Sequence, residues 1–369
     1  MSVDAEYADV LPDGAVRGRG AGLNPGNRFD GLRLHVLGEQ LEAAVEAHPK
    51  GVQLPTRIYA DRTRSVINRV DSPDLNFNWT LNPYRGCEHG CIYCYARPTH
   101  ELLGFSCGVD FETKIVAKHD AAGILERELA APNWKGEPIV MSGVTDCYQP
   151  IEAKLGITRR CLEVMAECGQ PVGVVTKSHL VVRDIESLKQ LAKVNAVSVG
   201  ISLTTLDAHL SSVMEPRASC PADRLRTISE LSEAGIPVMA ILAPIIPGLN
   251  DREIPRLLEA AANAGARSAM WMMVRLPYQV SNLFIEWLVR HFPNRAHKIE
   301  SQIRDMRGGK LYDSSFEHRM RGSGAIAQQL RDTFRVFSAR HGLDRSSPPL
   351  SSDAFRKPNL NGQLNLFAG

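Results

Sequence analysis

The residues best suited to chemistry lie in one stretch, Leu81-Asn82-Pro83-Tyr84-Arg85-Gly86-Cys87-Glu88-His89-Gly90-Cys91-Ile92-Tyr93-Cys94-Tyr95. Cys87, Cys91 and Cys94 form a C-x3-C-x2-C array inside a loop started by Pro83 and bounded by Gly86 and Gly90. Short gaps and glycines let the backbone curl round one inorganic centre, so that three thiolates can close on it. The informative feature is three ligands rather than four. A [4Fe-4S] cluster held by three cysteines keeps one iron open to a substrate or cofactor.

Two other readings of the same residues stand beside this one. A structural zinc site takes four ligands, usually as two short-spaced couples, and would need His89 or His100 to complete the set. Ordinary buried thiols would not need this spacing at all.

The array resembles the signature of the radical S-adenosylmethionine (SAM) superfamily, C-x3-C-x-aromatic-C, with Tyr93 in the aromatic place. Tyr95, directly after the last cysteine, resembles the branch of spore photoproduct lyase and its bacterial relatives. The resemblance implies a [4Fe-4S] cluster on Cys87, Cys91 and Cys94, with SAM chelated at the open iron. It also implies reductive cleavage of SAM, hydrogen abstraction from a substrate by the 5′-deoxyadenosyl radical, and an electron donor such as a reductase, flavodoxin or ferredoxin. The cofactor carries that chemistry and the protein positions it.

The elements that must position this loop follow in a regular rhythm. Apolar runs at 138–142, 172–176, 196–202, 238–242 and 269–274 alternate with helical patterns at 158–168, 180–193, 221–234, 251–264 and 281–291. Before them, 76–81 alternates like a strand and delivers the chain to the cysteines, and 113–117 reads as a further strand. Near-continuous apolar strands between helices describe a parallel sheet covered by helices. The expected fold is α/β, a partial (β/α)6 barrel, which is also the fold the resemblance implies; a doubly wound sheet is the alternative. Thr158 is a candidate N-cap, and Asn250 with Glu253 fits a capping box. The expected division is an N-terminal extension over 1–70, the barrel over 71–292, a helical closure over 293–341 and a disordered tail over 342–369. A weak helical pattern covers 32–47, and the last helix is expected to close the barrel.

In a barrel, function sits at the C-terminal ends of the strands. The first such end reads Ser142-Gly143-Val144-Thr145-Asp146-Cys147-Tyr148-Gln149-Pro150. The resemblance makes Ser142, Gly143, Thr145 and Asp146 candidates for the SAM amino group, since an acidic side chain or free carbonyl suits an ammonium. It makes Lys177, in the Thr176-Lys177 pair, a candidate for the SAM carboxylate, against a plain surface lysine at a strand end. Ser202 and Thr204 are candidates for the ribose or carboxylate, or cap the next turn. Arg217, in Glu215-Pro216-Arg217, is a candidate carboxylate fork. Pro244–Asp251 carries a Pro-Gly-x-Asn turn of the kind that lines adenine in the superfamily. At this first strand end the lyase has a hydrogen-returning cysteine, where this chain has Gly143. Cys147, a few residues on, is the candidate to replace it, and Tyr95 matches a tyrosine linked to that relay.

Other features bear on partners. A net charge of +2 gives no overall basic field, so nucleic acid must be met by local patches. Arg304, Arg307, Lys310, Arg319 and Arg321 around Tyr312 and Phe316 are one such patch, or else a solvated loop. Gln363-Leu364-Asn365-Leu366-Phe367 resembles the peptide by which bacterial polymerases and repair enzymes dock on the sliding clamp, with Leu366 and Phe367 packing on the barrel as the alternative. Arg17-Gly18-Arg19-Gly20 is a basic arm or a leader packed on the barrel. Eight cysteines in 369 residues do not form a secreted disulfide framework, and Cys161 and Cys168 read as core thiols. With neither signal peptide nor membrane-length apolar run, the expected place is the cytoplasm. The expected function is a radical SAM enzyme that repairs or modifies DNA in the manner of the lyase. The alternatives are radical modification of RNA, protein or a small molecule, and a non-catalytic iron–sulfur or zinc module tethered to the clamp.

Overall fold

A computed structural model describes residues 8–9, 16, 18–29, 54–316, 318–345 and 348–360. The helical pattern at 32–47 and the clamp-like peptide fall outside these residues. Six strands form the parallel sheet: β1 (Trp79–Leu81), β2 (Ile139–Met141), β3 (Val172–Thr176), β4 (Val197–Ser202), β5 (Val238–Ile245) and β6 (Ser268–Met273). They lie side by side in chain order, each parallel to the next, as a partial (β/α)6 barrel requires. Strand Ile67–Arg69 adds antiparallel to the free edge of β1.

Helices α1 (Ala121–Leu129), α2 (Ile157–Cys168), α3 (Ile185–Ala192), α4 (Pro221–Glu233), α5 (Ile254–Asn263) and α6 (Val280–His291) each follow the strand of the same number. Their apolar faces meet the sheet around Ile139, Met141, Val172, Val174, Val197 and Val199, all buried, so the strands read as near-continuous apolar runs. Cys161 and Cys168 are core thiols, as their spacing predicts.

The expected strand at 113–117 exists at Lys114–Ala117, outside the barrel. It pairs with Arg57–Ala60 and Tyr84–Arg85 in a three-stranded sheet beside the cysteine loop. Neither expected cap holds. The amides of Thr158 and Arg159, at the start of α2, donate to the buried Glu152 carboxylate at 3.0 and 3.3 Å, and the Thr158 hydroxyl donates to the Cys147 carbonyl. Asn250 braces the turn after β5, accepting from the Ile246 amide at 2.7 Å and donating to the Thr204 and Pro244 carbonyls.

Two long helices follow the barrel, α7 (Ala296–Asp305) and α8 (Gly324–Arg340). Helix α8 does not close the barrel. Its Phe334 packs on Trp271 of β6, in a cluster with Leu257 and Leu258 of α5, so it covers the outer face. The open side is bridged by the segment before it. The Met273 amide donates to the Met320 carbonyl at 2.9 Å, and Arg319 reaches across to Asp74 and, at 2.7 Å, to Ser72. Buried Arg307 donates to the Val274 and Arg319 carbonyls at 2.7 and 3.0 Å. Arg304 pairs with Glu300, and Arg321 lies over Trp271. The basic segment, read as a phosphate grip or a solvated loop, is therefore largely a structural strut.

The expectation of a disordered tail fails for 348–360. The Ser351 amide donates to the Asn195 carbonyl at 2.9 Å and the Arg356 amide to the Cys168 carbonyl at 2.8 Å. Ser352 donates to the Gly136 carbonyl, and Lys357 to those of Ala131 and Pro132. These acceptors precede β2, β3 and β4, so the strap crosses the end of the barrel opposite the site. A Cβ on Gly169 would stand 2.4 Å from the Ala354 carbonyl oxygen, and one on Gly136 2.6 Å from the Phe355 ring, which is why glycine occupies both.

Candidate active site at the C-terminal ends of the strands

β1 ends at Leu81 and the chain turns directly into the cysteine loop. Gly86 and Gly90 take φ of 79° and 68°, the left-handed region the curl needs. The three cysteines are free thiols; Cys87 and Cys91 are buried and Cys94 half-buried. The loop is held from within by Arg97, whose guanidinium is fully buried. It donates to the Cys91 carbonyl at 2.9 Å, Gly90 at 3.3 Å, Gly108 at 2.9 Å and Cys107 at 3.2 Å, and it pairs with Glu112 at 2.5 Å. Glu112 also accepts the Gly20 and Ala21 amides at 3.0 and 2.9 Å, and Arg19 donates to its carbonyl. A Cβ on Gly20 would stand 1.9 Å from the Gly90 carbonyl oxygen. The N-terminal segment is thus packed onto the cysteine loop, and Arg19 is engaged there rather than on a polyanion.

The donor set fits a cluster better than a zinc ion. Among the described residues no three His, Cys, Asp or Glu side chains converge on a single-ion site. Neither histidine completes a fourth ligand: His89 faces Asp146 at 3.3 Å, and His100 packs between Phe105 and Phe111. A cubane takes its three thiolates at separate irons and leaves the fourth iron open, as this loop does. Burial pushes all three thiols above the usual range, with Lys177 opposing the rise at Cys91 and Cys94, so a bound cationic centre would be needed to hold them as thiolates.

The strand ends meet this loop in two places. Ser142 sits at φ 69° with its hydroxyl accepting the Cys147 amide, and the Tyr95 hydroxyl donates to the Gly143 carbonyl at 2.7 Å. The Arg275 guanidinium lies over the exposed Tyr95 ring, 4.8 Å from its centroid. Asp146 ties loop to barrel: it accepts from the Tyr148 amide, the Thr176 hydroxyl and the Lys177 amide, each within 2.9 Å, and faces His89. Burial alone would raise its pKa, but His89 and these donors bring it below the ordinary carboxylate value.

The second meeting place is a network of charges below Cys91. Buried Glu215 accepts from Arg224, Tyr93 and, at 2.9 Å, Thr204, with Lys177 at 3.4 Å. Lys177 donates to Ser202 at 2.7 Å. Arg217 pairs with Glu88 at 3.1 Å, inside the cysteine loop, and stays partly exposed. Burial pushes the Glu215 carboxyl up, yet Arg224 and Lys177 outweigh it and hold the carboxyl at about 2.

The candidates therefore separate. Tyr95, Ser142, Gly143, Lys177, Ser202 and Arg217 stand at the mouth or in its network. Asp146 has all its lone pairs engaged and is a positioning residue rather than an ammonium ligand. Thr145 is buried and donates to the Tyr84 carbonyl, turned away from the mouth. Cys147 is corrected as well: it is fully buried among core residues, not presented at the opening. The exposed cysteine is Cys220, on the rim where Ser219 donates its amide to the Lys177 carbonyl. Sequence reasoning missed Arg97, Glu112, Arg224 and Arg275, whose partners are distant in the chain or are backbone carbonyls. Tyr93 and Glu215 lay within motifs already noted, but nothing local pairs them.

A family model, the radical SAM superfamily, matches residues 81–261. An uncharacterised protein of Mycobacterium tuberculosis is 33% identical over 262 residues, covering 70% of this chain and 76% of its own. One of Methanocaldococcus jannaschii is 29% identical over 192 residues, covering 52% and 69%. Among solved structures, spore photoproduct lyase complexed with dinucleoside spore photoproduct aligns with TM-score 0.53 at 15% identity, over 77% of this chain and 78% of that one. A variant of that lyase with bound AdoMet and the photoproduct aligns with TM-score 0.52 at 14% identity, over 82% and 92%. The chain belongs to the radical SAM superfamily. It is an enzyme of the radical SAM type whose cofactors are a [4Fe-4S] cluster and S-adenosylmethionine, on the fold seen in spore photoproduct lyase.

Glu215 yields a pH prediction. A carboxyl depressed from 4.5 to about 2 contributes stability that is full above the unfolded value and lost as pH falls through the folded one. The apo-protein should lose on the order of 3 kcal/mol between those values through this group, and Glu215→Gln should show a correspondingly flatter profile in denaturant melts. Parallel profiles would mean Glu215 is not held ionised.

Proposed function

We propose that this enzyme acts on DNA, in repair of the photoproduct lyase type or in a related modification. Cys87, Cys91 and Cys94 would hold the cluster through three of its irons. When bound, the cluster supplies the electron that cleaves SAM into methionine and a 5′-deoxyadenosyl radical able to abstract hydrogen. Lys177 would meet the SAM carboxylate, Ser202 would orient Lys177, and the Ser142–Gly143 turn would face the amino group. Arg217, partly exposed, would add a second cation. Asp146 and Glu215 would keep the loop and these cations in place without touching the cofactor. An outside reductase, flavodoxin or ferredoxin would deliver the electron, in the cytoplasm.

One observation carries the reading: three free cysteines on a single glycine-hinged loop over the C-terminal end of a six-stranded partial barrel. DNA as substrate is supported by the shared fold with a lyase solved on a dinucleoside photoproduct. We infer a relay unlike the one the resemblance implies, since Gly143 stands where it would place a cysteine and Cys147 is buried in the core. Tyr95, hydrogen-bonded to Gly143 and lying under the Arg275 guanidinium, would serve the substrate radical.

The direct test is anaerobic reconstitution, reduction with dithionite and assay of 5′-deoxyadenosine from SAM. Wild type should form it, and Cys87→Ala, Cys91→Ala and Cys94→Ala should each fall to background. A fully loaded wild type that leaves SAM intact, with and without DNA, would sink the proposal. The peptide 363–367 supports a sliding-clamp partner. Deleting it should abolish co-purification with the clamp and leave SAM cleavage unchanged; retained co-purification would refute the partner.

A further inference from the structure

Arginines free to meet a polyanion lie outside the basic segment at 304–321. Between residues 57 and 64, Arg57, Arg62 and Arg64 are all exposed and form no ion pair among the described residues. Asp61 is the one acid in this run, and Arg85 neutralises it at 3.0 Å. The run begins as the strand Arg57–Ala60, exposed along its length at the edge of the three-stranded sheet. In the parallel register Arg57 stands opposite Lys114. Like charges placed opposite each other cost stability, and here Asp110 offsets only Lys114.

Aromatic groups lie among these charges. Tyr59 is 38% exposed, and its ring meets Phe105 at 5.5 Å between centroids, while the Lys114 ammonium sits 4.9 Å over Phe105. Cations alternating with accessible rings grip phosphates and stack bases. The run also leads to the site. The Asp61 amide donates to the Ala117 carbonyl, Ala117 pairs with Tyr84, and Ile67 stands opposite Leu81, the last residue of β1. The cysteine loop begins a few residues beyond.

Charged residues on an edge strand also serve to prevent sheet-to-sheet pairing. Arg57 alone would do that on a strand of four residues. Arg62 and Arg64 lie on neither edge strand, Arg57–Ala60 nor Ile67–Arg69, so edge protection does not by itself account for the run.

We propose that Arg57, Tyr59, Arg62 and Arg64 form a phosphate-and-base track that leads a single strand of DNA to the mouth above the cysteine loop. This rests on the DNA reading of the substrate, and it places the contact on a surface that radical chemistry does not use. The test is fluorescence anisotropy with a labelled single-stranded oligodeoxynucleotide, its duplex and an RNA of the same sequence. The reconstituted wild type and Arg57→Glu/Arg62→Glu/Arg64→Glu are titrated across a salt series.

The variant should bind single-stranded DNA about tenfold or more weakly, with a salt slope reduced by about 2, as expected for three lost contacts at ~0.7 each. Tyr59→Ala should weaken binding with the salt slope unchanged. Cluster absorbance and uncoupled SAM cleavage should match wild type, which shows that the variant folds. Equal affinity of wild type and variant for DNA would overturn the track while leaving the DNA reading intact. Self-association of the variant at unchanged affinity would assign the arginines to edge protection instead. Tighter wild-type binding to the RNA or the duplex than to single-stranded DNA would overturn the stated ligand. A wild type that binds no nucleic acid yet cleaves SAM would remove both the track and the DNA substrate, with radical SAM chemistry standing.

Discussion

The site depends on one buried ion pair, Arg97 with Glu112, both wholly withdrawn from water. Burying a guanidinium is costly unless its donors all find acceptors, and here they reach four carbonyls of the cysteine loop and its neighbours plus one carboxylate. A loop with its carbonyls fixed in this way cannot relax into helix or strand, because those carbonyls are already engaged. Removing either partner would leave an uncompensated buried charge, a loss of about 3–5 kcal/mol. That is a large fraction of the ~5–15 kcal/mol by which folded proteins are stable, so loop geometry and fold are fixed together.

Three segments from different parts of the chain converge on this pair. The cysteine loop supplies carbonyls, Glu112 comes from the short helix before Lys114–Ala117, and the N-terminal segment adds the amides of Gly20 and Ala21. A second buried charge cluster, around Glu215, does the same for the strand ends, joining β3 through Lys177, β4 through Ser202 and α4 through Arg224. The two clusters divide the work. One shapes the thiol cradle, and the other sets the cations that face it. Asp146 links them by holding the Lys177 amide while facing His89 of the loop.

The sheet was readable because its strands are largely covered and rich in β-branched apolar residues, as at Val172–Thr176 and Val197–Ser202. The cysteines were readable because their ligand spacing is local. What escaped was whatever depends on which partner a polar side chain meets once the chain has turned, near or distant in sequence. Thr158 and Asn250 looked like caps, but Glu152 caps one helix from outside and Asn250 braces a turn. Cys147 looked available from its place in a polar string, yet the turn at Ser142 directs it into the core. The tail's Ser, Pro and Asn composition concealed a strap held largely on backbone carbonyls of the barrel, acceptors to which composition is blind. The basic patch at 304–321 looked free because its acceptors, Asp74 and the Val274 carbonyl, lie elsewhere in the chain.

The central claim is that Cys87, Cys91 and Cys94 leave one iron of a [4Fe-4S] cluster open for SAM beside Lys177. Electron paramagnetic resonance of the reduced, reconstituted protein, without SAM and with SAM carrying isotopic labels on its amino nitrogen and carboxylate oxygen, tests this most directly. SAM should change the cluster spectrum and both labels should show hyperfine coupling to it, with the carboxylate coupling weakened in Lys177→Ala. A spectrum indifferent to SAM, with no coupling to either label, would contradict that claim.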